Sequence, residues 1–359
     1  MKKPTINKVV SSVESLSVYL RGISKFGKST LVRDVILEKY GDPSRGLLIS
    51  VANEMGYKLL DNLNYVHVDT FEELLEIKDW LIKEKGKEHQ ISMVAIDVIS
   101  EVIPLLEAYV CKLSFKETGK ICKSINSAFG GYGSGQKKME LLLKQYFSEL
   151  FKAGISVWCI GHTKVKSIKE KASLDEEGYQ VLTSDLPNNL EAVITGMFDV
   201  ILTGVVDKNI QDKKVTDITR KLYFRGTEFI EAGCRFGNGT VPEYIVFDKP
   251  NMAKEVIQTL EEGMRKSNSH EVSQEDFKKA QKKEEVELSK KAEEFVKAKE
   301  NTGMTPEEKT EAHSKIKTNL ASIDMAELQR IMKDYSITDF KDAQAIPDGA
   351  YKELLDLVD

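Results

Sequence analysis

The sequence has few cysteines, no long apolar run and no excess of positive charge. Its four cysteines, Cys111, Cys122, Cys159 and Cys234, show neither a CxxC pair nor a Cys/His spacing typical of zinc ligands, so we expect reduced thiols and no zinc site. No apolar run approaches the roughly 18–20 residues of a membrane-spanning helix, and no signal peptide precedes the first predicted strand. We therefore expect a cytoplasmic protein without a membrane partner. The net charge of −5 excludes a strongly basic nucleic-acid coat protein, but not a local basic groove.

Strand and helix signals alternate from residue 15 to about residue 205, which predicts a mostly parallel sheet covered by helices on both faces. The predicted strands are the apolar runs SLSVYL (15–20), GLLISVA (46–52), NYVHVD (64–69), ISMVAIDVI (91–99), ISVWCIGH (155–162) and MFDVILTGVV (197–206). Among the helical stretches, TFEELLEIKDWLIKEK begins with Thr70, and Glu73 follows at the spacing of a capping box.

Later segments predict two further parts. KLYFRG, EFIEAGCRF and EYIVF, between residues 214 and 248, predict β-hairpins at the sheet edge. The run EDFKKAQKKEEVELSKKAEEFVKAKE (275–300) is highly charged and predicts a solvated helical linker, while residues after Pro306 regain amphipathic spacing. We expect an α/β core over residues 1–250, a charged helical linker over 251–304 and a small α-helical C-terminal module over 305–359.

The stretch RGISKFGKST matches the GxxxxGK[ST] pattern of a phosphate-binding loop, or Walker A motif. It follows a predicted strand and precedes a predicted helix, which is the context that such a loop requires. Gly22 and Gly27 allow a tight turn whose N–H groups face phosphate oxygens, and Lys28 supplies a positive charge for the β- and γ-phosphates. The Ser29 hydroxyl is a candidate Mg²⁺ ligand, and we expect Thr30 to reach the α-phosphate.

Three more residues complete the predicted nucleotide site. Asp97 ends the strand MVAID, where a carboxylate can hold Mg²⁺. Glu54 follows the second strand, where a carboxylate can polarise the water that attacks the γ-phosphate. His162 ends the strand VWCIGH and can contact the γ-phosphate. Each of the three also has a purely structural alternative. Asp97 could cap the next helix, Glu54 could be a solvated loop residue, and His162 could be a hydrogen-bonded histidine at a strand end.

These motifs, together with FGGYGSG and EAGCRF, resemble those of the RecA-like P-loop ATPases of bacteriophages, the AAA-domain nucleotide-binding group that includes Sak-type single-strand annealing proteins. The resemblance runs from about residue 15 to 247. It implies ATP and Mg²⁺ as cofactors, the roles given above for the Walker A residues and for Asp97, Glu54 as the catalytic glutamate, and His162 as a sensor of the γ-phosphate. Family members usually have Asp where this chain has Ala52, which puts the rate of hydrolysis in doubt.

The resemblance also implies that two loops contact single-stranded DNA. The corresponding segments are GGYGSGQKK (130–138) and TKVKSIKEK (163–171). In them, Tyr132 is a candidate for base stacking, and the lysines are candidates for phosphate contacts: Lys137, Lys138, Lys164, Lys166, Lys169 and Lys171.

The expected function is that of an ATP-dependent phage recombination protein, a homo-oligomer (ring or filament) that binds single-stranded DNA and promotes annealing or strand pairing in the host cytoplasm. A cation that acts on the γ-phosphate of a neighbouring subunit is a further expectation; Arg225 is the first candidate, beside Arg220, Lys221 and Arg235. The C-terminal module could bind a single-strand binding protein or another replication protein. Two alternatives remain: a helicase loader or helicase-like replication ATPase, and a non-catalytic, nucleotide-gated adaptor.

Overall fold

The structure is a computed structural model that describes residues 13–168, 178–211 and 214–267, scattered residues between 279 and 294, and most residues between 304 and 358. The chain divides into two compact units, Met1–Glu293 and Glu294–Asp359.

The first unit contains all the strands of the described chain. They are β1 (Val18–Gly22), β2 (Gly46–Val51), β3 (Tyr65–Val68), β4 (Met93–Asp97), β5 (Ser156–Gly161), β6 (Thr163–Ile168), β7 (Tyr179–Ser184), β8 (Val200–Gln211), β9 (Lys214–Tyr223), β10 (Gly233–Cys234) and β11 (Tyr244–Val246). Its helices are α1 (Lys28–Tyr40), α2 (Phe71–Lys83), α3 (Ile99–Thr118), α4 (Ser134–Lys152), α5 (Asn188–Met197) and α6 (Met252–Ser267).

The main sheet has the strand order β11-β9-β8-β1-β5-β4-β2-β3, and β10 pairs with β8. The strands from β8 to β3 in this order are parallel, whereas β9, β10 and β11 pair antiparallel. Every residue of β1, β2, β4 and β5 is buried, as expected for parallel strands covered on both faces. The predicted α/β fold, with a mostly parallel sheet and late β-hairpins, is confirmed.

Helix α2 begins with the predicted capping box. Thr70 Oγ1 accepts a hydrogen bond from Glu73 N at 3.2 Å, and Glu73 Oε2 accepts one from Thr70 N at 3.1 Å. These bonds satisfy amide groups that the first turn of the helix leaves without partners.

Helix α6 belongs to the core of the first unit, although residues 251–304 were expected to form a linker. Its buried face includes Val256 and Leu260, which join the same apolar cluster as Val32 and Val35 of α1. The core therefore extends beyond residue 250, to Ser267. The amphipathic spacing of α6 supplies the apolar face that a solvated linker would lack.

The segment Thr163–Ile168, predicted as part of a DNA-contacting loop, is a strand. It pairs antiparallel with β7, with Thr163 opposite Ser184 and Ile168 opposite Tyr179. The two strands form a separate sheet, called here the β6–β7 hairpin. The alternation in TKVKSI is the signal for this strand.

The second unit is helical in its described residues, with α7 (Pro306–Thr318), α8 (Met325–Asp334) and α9 (Asp348–Asp356). It has its own apolar core, in which Ile316, Ile331 and Tyr351 are fully buried. His313 is also buried; its Nδ1 lies 3.2 Å from Tyr351 Oη. The predicted small helical module is confirmed.

In the part of the chain that the structure describes, no helix combines the length and the apolar character needed to cross a bilayer.

Candidate nucleotide site

The phosphate-binding loop connects β1 to α1 at the carboxyl edge of the parallel strands. Gly27, the residue before the helix, has φ 105° and ψ 20°, a conformation that glycine adopts without steric cost. Phe26 is buried and stacks on Phe247, with 4.7 Å between ring centroids. This aromatic contact anchors the middle of the loop to the segment after β11. Thr30 is exposed in the first turn of α1.

Lys28 is buried at the first position of α1. Its Nζ donates hydrogen bonds to the carbonyl oxygens of Gly22 and Ile23, both at 2.9 Å, and lies 3.5 Å from His162 Nδ1. Burial lowers the pKa of Lys28, while the charges of Asp97, Glu54 and, to a lesser extent, Asp185 act in the opposite direction. An ammonium group fixed inside the loop is positioned to neutralise phosphate charge.

Ser29 and Asp97 are in direct contact, although they lie far apart in the sequence. Ser29 Oγ donates to Asp97 Oδ2 at 2.6 Å. Burial raises the pKa of Asp97, and the hydrogen bond from Ser29 opposes this effect. A hydroxyl and a carboxylate side by side fit Mg²⁺, which prefers oxygen ligands, so these two residues are the ones that would hold the ion.

Glu54 lies in the turn after β2, close enough to the site for its charge to act on both Lys28 and Asp97. Its Oε1 accepts a hydrogen bond from Gly56 N at 2.9 Å, and its carbonyl oxygen accepts one from Ser50 Oγ at 2.6 Å. The turn is thus fixed on both sides of the carboxylate. Ala52, two residues earlier, has φ 49°, which is rare for alanine.

His162 follows β5, which lies between β1 and β4 in the sheet. This strand order places His162 between the phosphate-binding loop and Asp97, and the 3.5 Å approach to Lys28 shows that they meet. The structure therefore brings Lys28, Ser29, Asp97, Glu54 and His162 to one place.

Sequence reasoning missed Arg21, whose side chain is fully buried beneath the loop. Arg21 Nη1 lies 3.1 Å from Glu191 Oε1, and Nη2 lies 3.0 Å from Glu231 Oε2. Arg21 Nε also donates to Thr203 Oγ1 at 3.0 Å. An arginine inside the otherwise apolar strand VYLRG was the available signal, because a buried arginine needs carboxylate partners.

The predicted DNA-contacting residues fall into two groups. Tyr132 is fully exposed, with φ 54°, between Gly131 and Gly133. Lys164 and Lys137 are exposed and Lys138 is partly exposed; none of the three has an ion pair within the described residues. Lys169 and Lys171 lie outside the described residues.

Lys166 differs from these lysines because it forms an ion pair within the chain. Its Nζ donates to Glu191 Oε2 at 2.7 Å, to Leu186 O at 2.8 Å and to Asn188 Oδ1 at 3.1 Å. Three bonds satisfy all the hydrogens of an ammonium group. This geometry disfavours the predicted DNA contact and favours a structural role.

The candidates for a cation acting between subunits are all engaged within the chain. Arg220 pairs with Asp248 at 2.5 Å, Lys221 with Asp207 at 2.6 Å, and Arg235 with Asp199 at 3.1 Å. Arg225, the first candidate, donates to Phe236 O at 3.0 Å and to Gly237 O at 2.5 Å. For Arg225 the geometry favours a role in holding residues 234–240 together, rather than the predicted role at a neighbouring subunit.

The sequence matches the model of the AAA domain over residues 14–236. The chain belongs to this family. The AAA domain thus covers the phosphate-binding loop, the β6–β7 hairpin and the strands of the main sheet other than β11. No curated protein matches the sequence. Among solved structures, the chain is similar to the KaiC-like protein PH0186 from the hyperthermophilic archaeon Pyrococcus horikoshii OT3, with 12% identity over 65% of this chain and 90% of that chain, and a TM-score of 0.32.

Proposed function

We propose that the protein is an ATP-dependent DNA recombination protein, encoded by a phage, that binds single-stranded DNA as an oligomer and promotes annealing or strand pairing. The observation that carries the proposal is the continuity between the nucleotide site and the β6–β7 hairpin. His162 lies 3.5 Å from Lys28, and the next residue begins β6, which presents Lys164 to solvent. Loss of the γ-phosphate can therefore affect the basic surface at Lys164 through His162.

The site residues have separate tasks in ATP hydrolysis. The backbone of residues 22–28 and the Lys28 ammonium bind the phosphates, and Lys28 stabilises negative charge in the transition state. Ser29 and Asp97 would hold Mg²⁺, which neutralises phosphate charge when bound. Glu54 orients the attacking water and accepts its proton.

The proposed DNA surface combines the glycine-rich loop with the hairpin. Asn188 and Asn189, in the first turn of α5, connect them: Lys166 Nζ donates to Asn188 Oδ1 at 3.1 Å, and Asn189 Nδ2 donates to Glu140 Oε1 on α4 at 3.1 Å. Glu140 lies one helical turn from Lys137. Exposed lysines of α4 and β6 and the exposed ring of Tyr132 thus belong to one region, where stacking and phosphate contacts suit a single strand.

ATP hydrolysis with and without single-stranded DNA tests the proposal. We expect DNA to stimulate hydrolysis by the unmodified protein, and Lys28→Ala to abolish nucleotide binding and hydrolysis. Lys83→Ala is the matched control, because Lys83 is an exposed lysine in the last turn of α2 and lies outside the phosphate-binding loop. ATP binding without stimulated hydrolysis would contradict the proposed recombination function.

Variants of the DNA surface give a second test. Tyr132→Ala should weaken single-strand binding by roughly 5- to 150-fold, since base stacking on an aromatic ring contributes about 1–3 kcal/mol, whereas Tyr132→Phe should bind normally. Lys137→Ala with Lys164→Ala should reduce the salt dependence of binding, with a slope lower by about 0.7 for each phosphate that the variant no longer neutralises. Normal binding by all these variants would exclude the assigned surface.

A nucleotide-gated adaptor is the second candidate, favoured by Ala52 and by the separate apolar core of the second unit. It predicts ATP binding without DNA stimulation and retention of function by Glu54→Gln. A helicase-like ATPase would instead unwind duplex DNA, which we do not expect.

A further inference from the structure

Asp185 lies opposite His162 at the base of the β6–β7 hairpin. Asp185 N donates to His162 O at 3.2 Å, one step beyond the pair Thr163–Ser184. Residues opposed in this way on antiparallel strands have Cβ atoms about 4.5–5.5 Å apart, and their side chains share a face. The backbone of Asp185 is therefore joined to His162, whose imidazole approaches Lys28.

The neighbouring residue fixes this arrangement. Ser184 Oγ lies 2.8 Å from Tyr19 Oη, and both side chains are buried. Tyr19 belongs to β1, the strand that leads into the phosphate-binding loop. The end of β7 is thus attached to the loop's own strand as well as to the residue after β5.

One oxygen of the Asp185 carboxylate is left unsatisfied by the part of the chain that the structure describes. Its Oδ1 is buried and has no hydrogen-bond partner among the described residues, although a buried carboxylate oxygen normally has one. Its charge also acts on Lys28, where it opposes the lowering of the pKa by burial. The described residues therefore leave one oxygen of this carboxylate without a partner, and the charge of the carboxylate acts on Lys28.

We infer that the charge of Asp185, at the end of the nucleotide site that holds Lys28 and His162, lowers the affinity for a nucleoside triphosphate relative to the diphosphate. A negative charge beside the histidine end of the site repels the γ-phosphate and offsets part of the Lys28 charge. A diphosphate lacks the γ-phosphate and is affected less. Asp185 directly follows β7. The repulsion between its carboxylate and the γ-phosphate therefore also acts on the β6–β7 hairpin, so that the hairpin responds to the presence of the γ-phosphate.

This inference rests on the nucleotide-binding part of the proposed function and not on DNA. The test is a measurement of dissociation constants for ATPγS and ADP with Mg²⁺, without DNA, by isothermal titration calorimetry. Asp185→Asn removes the charge and keeps the shape. We expect it to bind ATPγS roughly three- to tenfold more tightly, the size of effect expected for one partly buried charge, with ADP affinity changed by less than about twofold. Asp185→Glu, which keeps the charge, should retain the ratio of the unmodified protein.

Asp217→Asn is the matched control, because Asp217 is an exposed carboxylate of β9, and it should leave both affinities unchanged. Thermal unfolding checks that each variant is folded, and Asp185→Ser replaces Asp185→Asn if the latter does not fold. An unchanged ratio, or an equal change for both nucleotides, would overturn the inference alone. Failure of the unmodified protein to bind either nucleotide would overturn the proposed function together with it.

Discussion

Lys166 and Arg21 share the carboxylate of Glu191. Lys166 Nζ lies 2.7 Å from Oε2, and Arg21 Nη1 lies 3.1 Å from Oε1. Burial alone would raise the pKa of Glu191, but hydrogen bonds from Lys166 and Thr183 and the charge of Arg21 outweigh burial and lower it. One side chain of α5 therefore connects the hairpin to the strand of the phosphate-binding loop.

Lys166→Met should destabilise the protein, because it leaves Glu191 with one cation fewer at a partly buried position. We expect a loss of about 1–3 kcal/mol in the free energy of unfolding, the range for charge-assisted hydrogen bonds. Lys164→Met is the matched control on the same strand and should change stability by less than about 0.5 kcal/mol. Urea unfolding of the full chain measures both; equal effects would contradict the assignment of Lys166 to the interior network.

Arg21→Met should be more destabilising, since it leaves the carboxylates of Glu191 and Glu231 without their buried partner. Breaking a buried ion pair in this way costs about 3–5 kcal/mol. Arg21→Lys keeps the charge but not the planar fork, so its loss of stability should be smaller. Urea unfolding again gives the values, and a neutral Arg21→Met would show that the network does not support the fold.

Glu54→Gln should retain ATP binding and lose turnover. The amide keeps the shape of the side chain but cannot accept the proton of the attacking water, and loss of a general base typically costs about 10²–10⁴ in rate. A steady-state ATPase assay beside a nucleotide-binding measurement separates the two effects. Glu38→Gln, at an exposed position on α1, is the control. Full activity of Glu54→Gln would exclude the predicted catalytic role.

Ala52→Gly should stabilise the protein, because Ala52 has φ 49°. Left-handed backbone costs a residue with a Cβ atom about 1–2 kcal/mol, and glycine removes this cost, partly offset by its greater freedom in the unfolded chain. We expect a gain of up to about 1 kcal/mol in the free energy of unfolding, measured in urea. Ala153→Gly, at the ordinary φ of −77°, should destabilise. A loss of stability in Ala52→Gly would contradict this account.

Acidification from pH 7.5 to 5 should weaken the second unit through His313. Burial lowers the pKa of His313, the Lys317 charge adds to this effect, and Asp342 opposes it. The folded unit therefore binds the proton less readily than the unfolded chain. The stability from neutral His313 is complete above the usual histidine pKa of about 6.5 and declines as the pH falls through that value.

Hydrogen exchange of α7 in the full-length protein, corrected for the intrinsic pH dependence of exchange, measures this loss. In this pH range ordinary carboxylates remain ionised. His313→Phe should remove most of the pH dependence, and Tyr351 Oη keeps its hydrogen bond to Ala343 O at 2.8 Å. The same pH dependence in the variant would exclude His313 as its cause.

Local sequence signals were enough to predict the phosphate-binding loop, the strands β1 to β5 and the position of Asp97. Glycines, apolar runs and strand-end polar residues act through nearby backbone geometry, which short windows of sequence capture. Ser29 and Asp97 were each assigned to Mg²⁺ from their positions after parallel strands, which end at one edge of the sheet, whereas their direct hydrogen bond was not predicted.

The partners of individual lysines could not be predicted in the same way. Lys164 and Lys166 have the same local pattern, yet of the two only Lys166 is shown to bond to Leu186, Asn188 and Glu191. Asp185 lies in the polar stretch TSDLPNN, which has the composition of a turn, and only the pairing of β7 with β6 brings it to His162. Such roles depend on tertiary contacts between distant segments.

The position of β1 between β5 and β8 has a consequence for synthesis. Both sheet neighbours of this strand are translated much later, since Val18 pairs with Trp158 on one side and with Val200 on the other. At a translation rate of about 5–20 residues per second, roughly 10 to 35 seconds pass between the synthesis of β1 and that of β8. The phosphate-binding loop therefore gains both strands that flank β1 only after the chain up to β8 has been made.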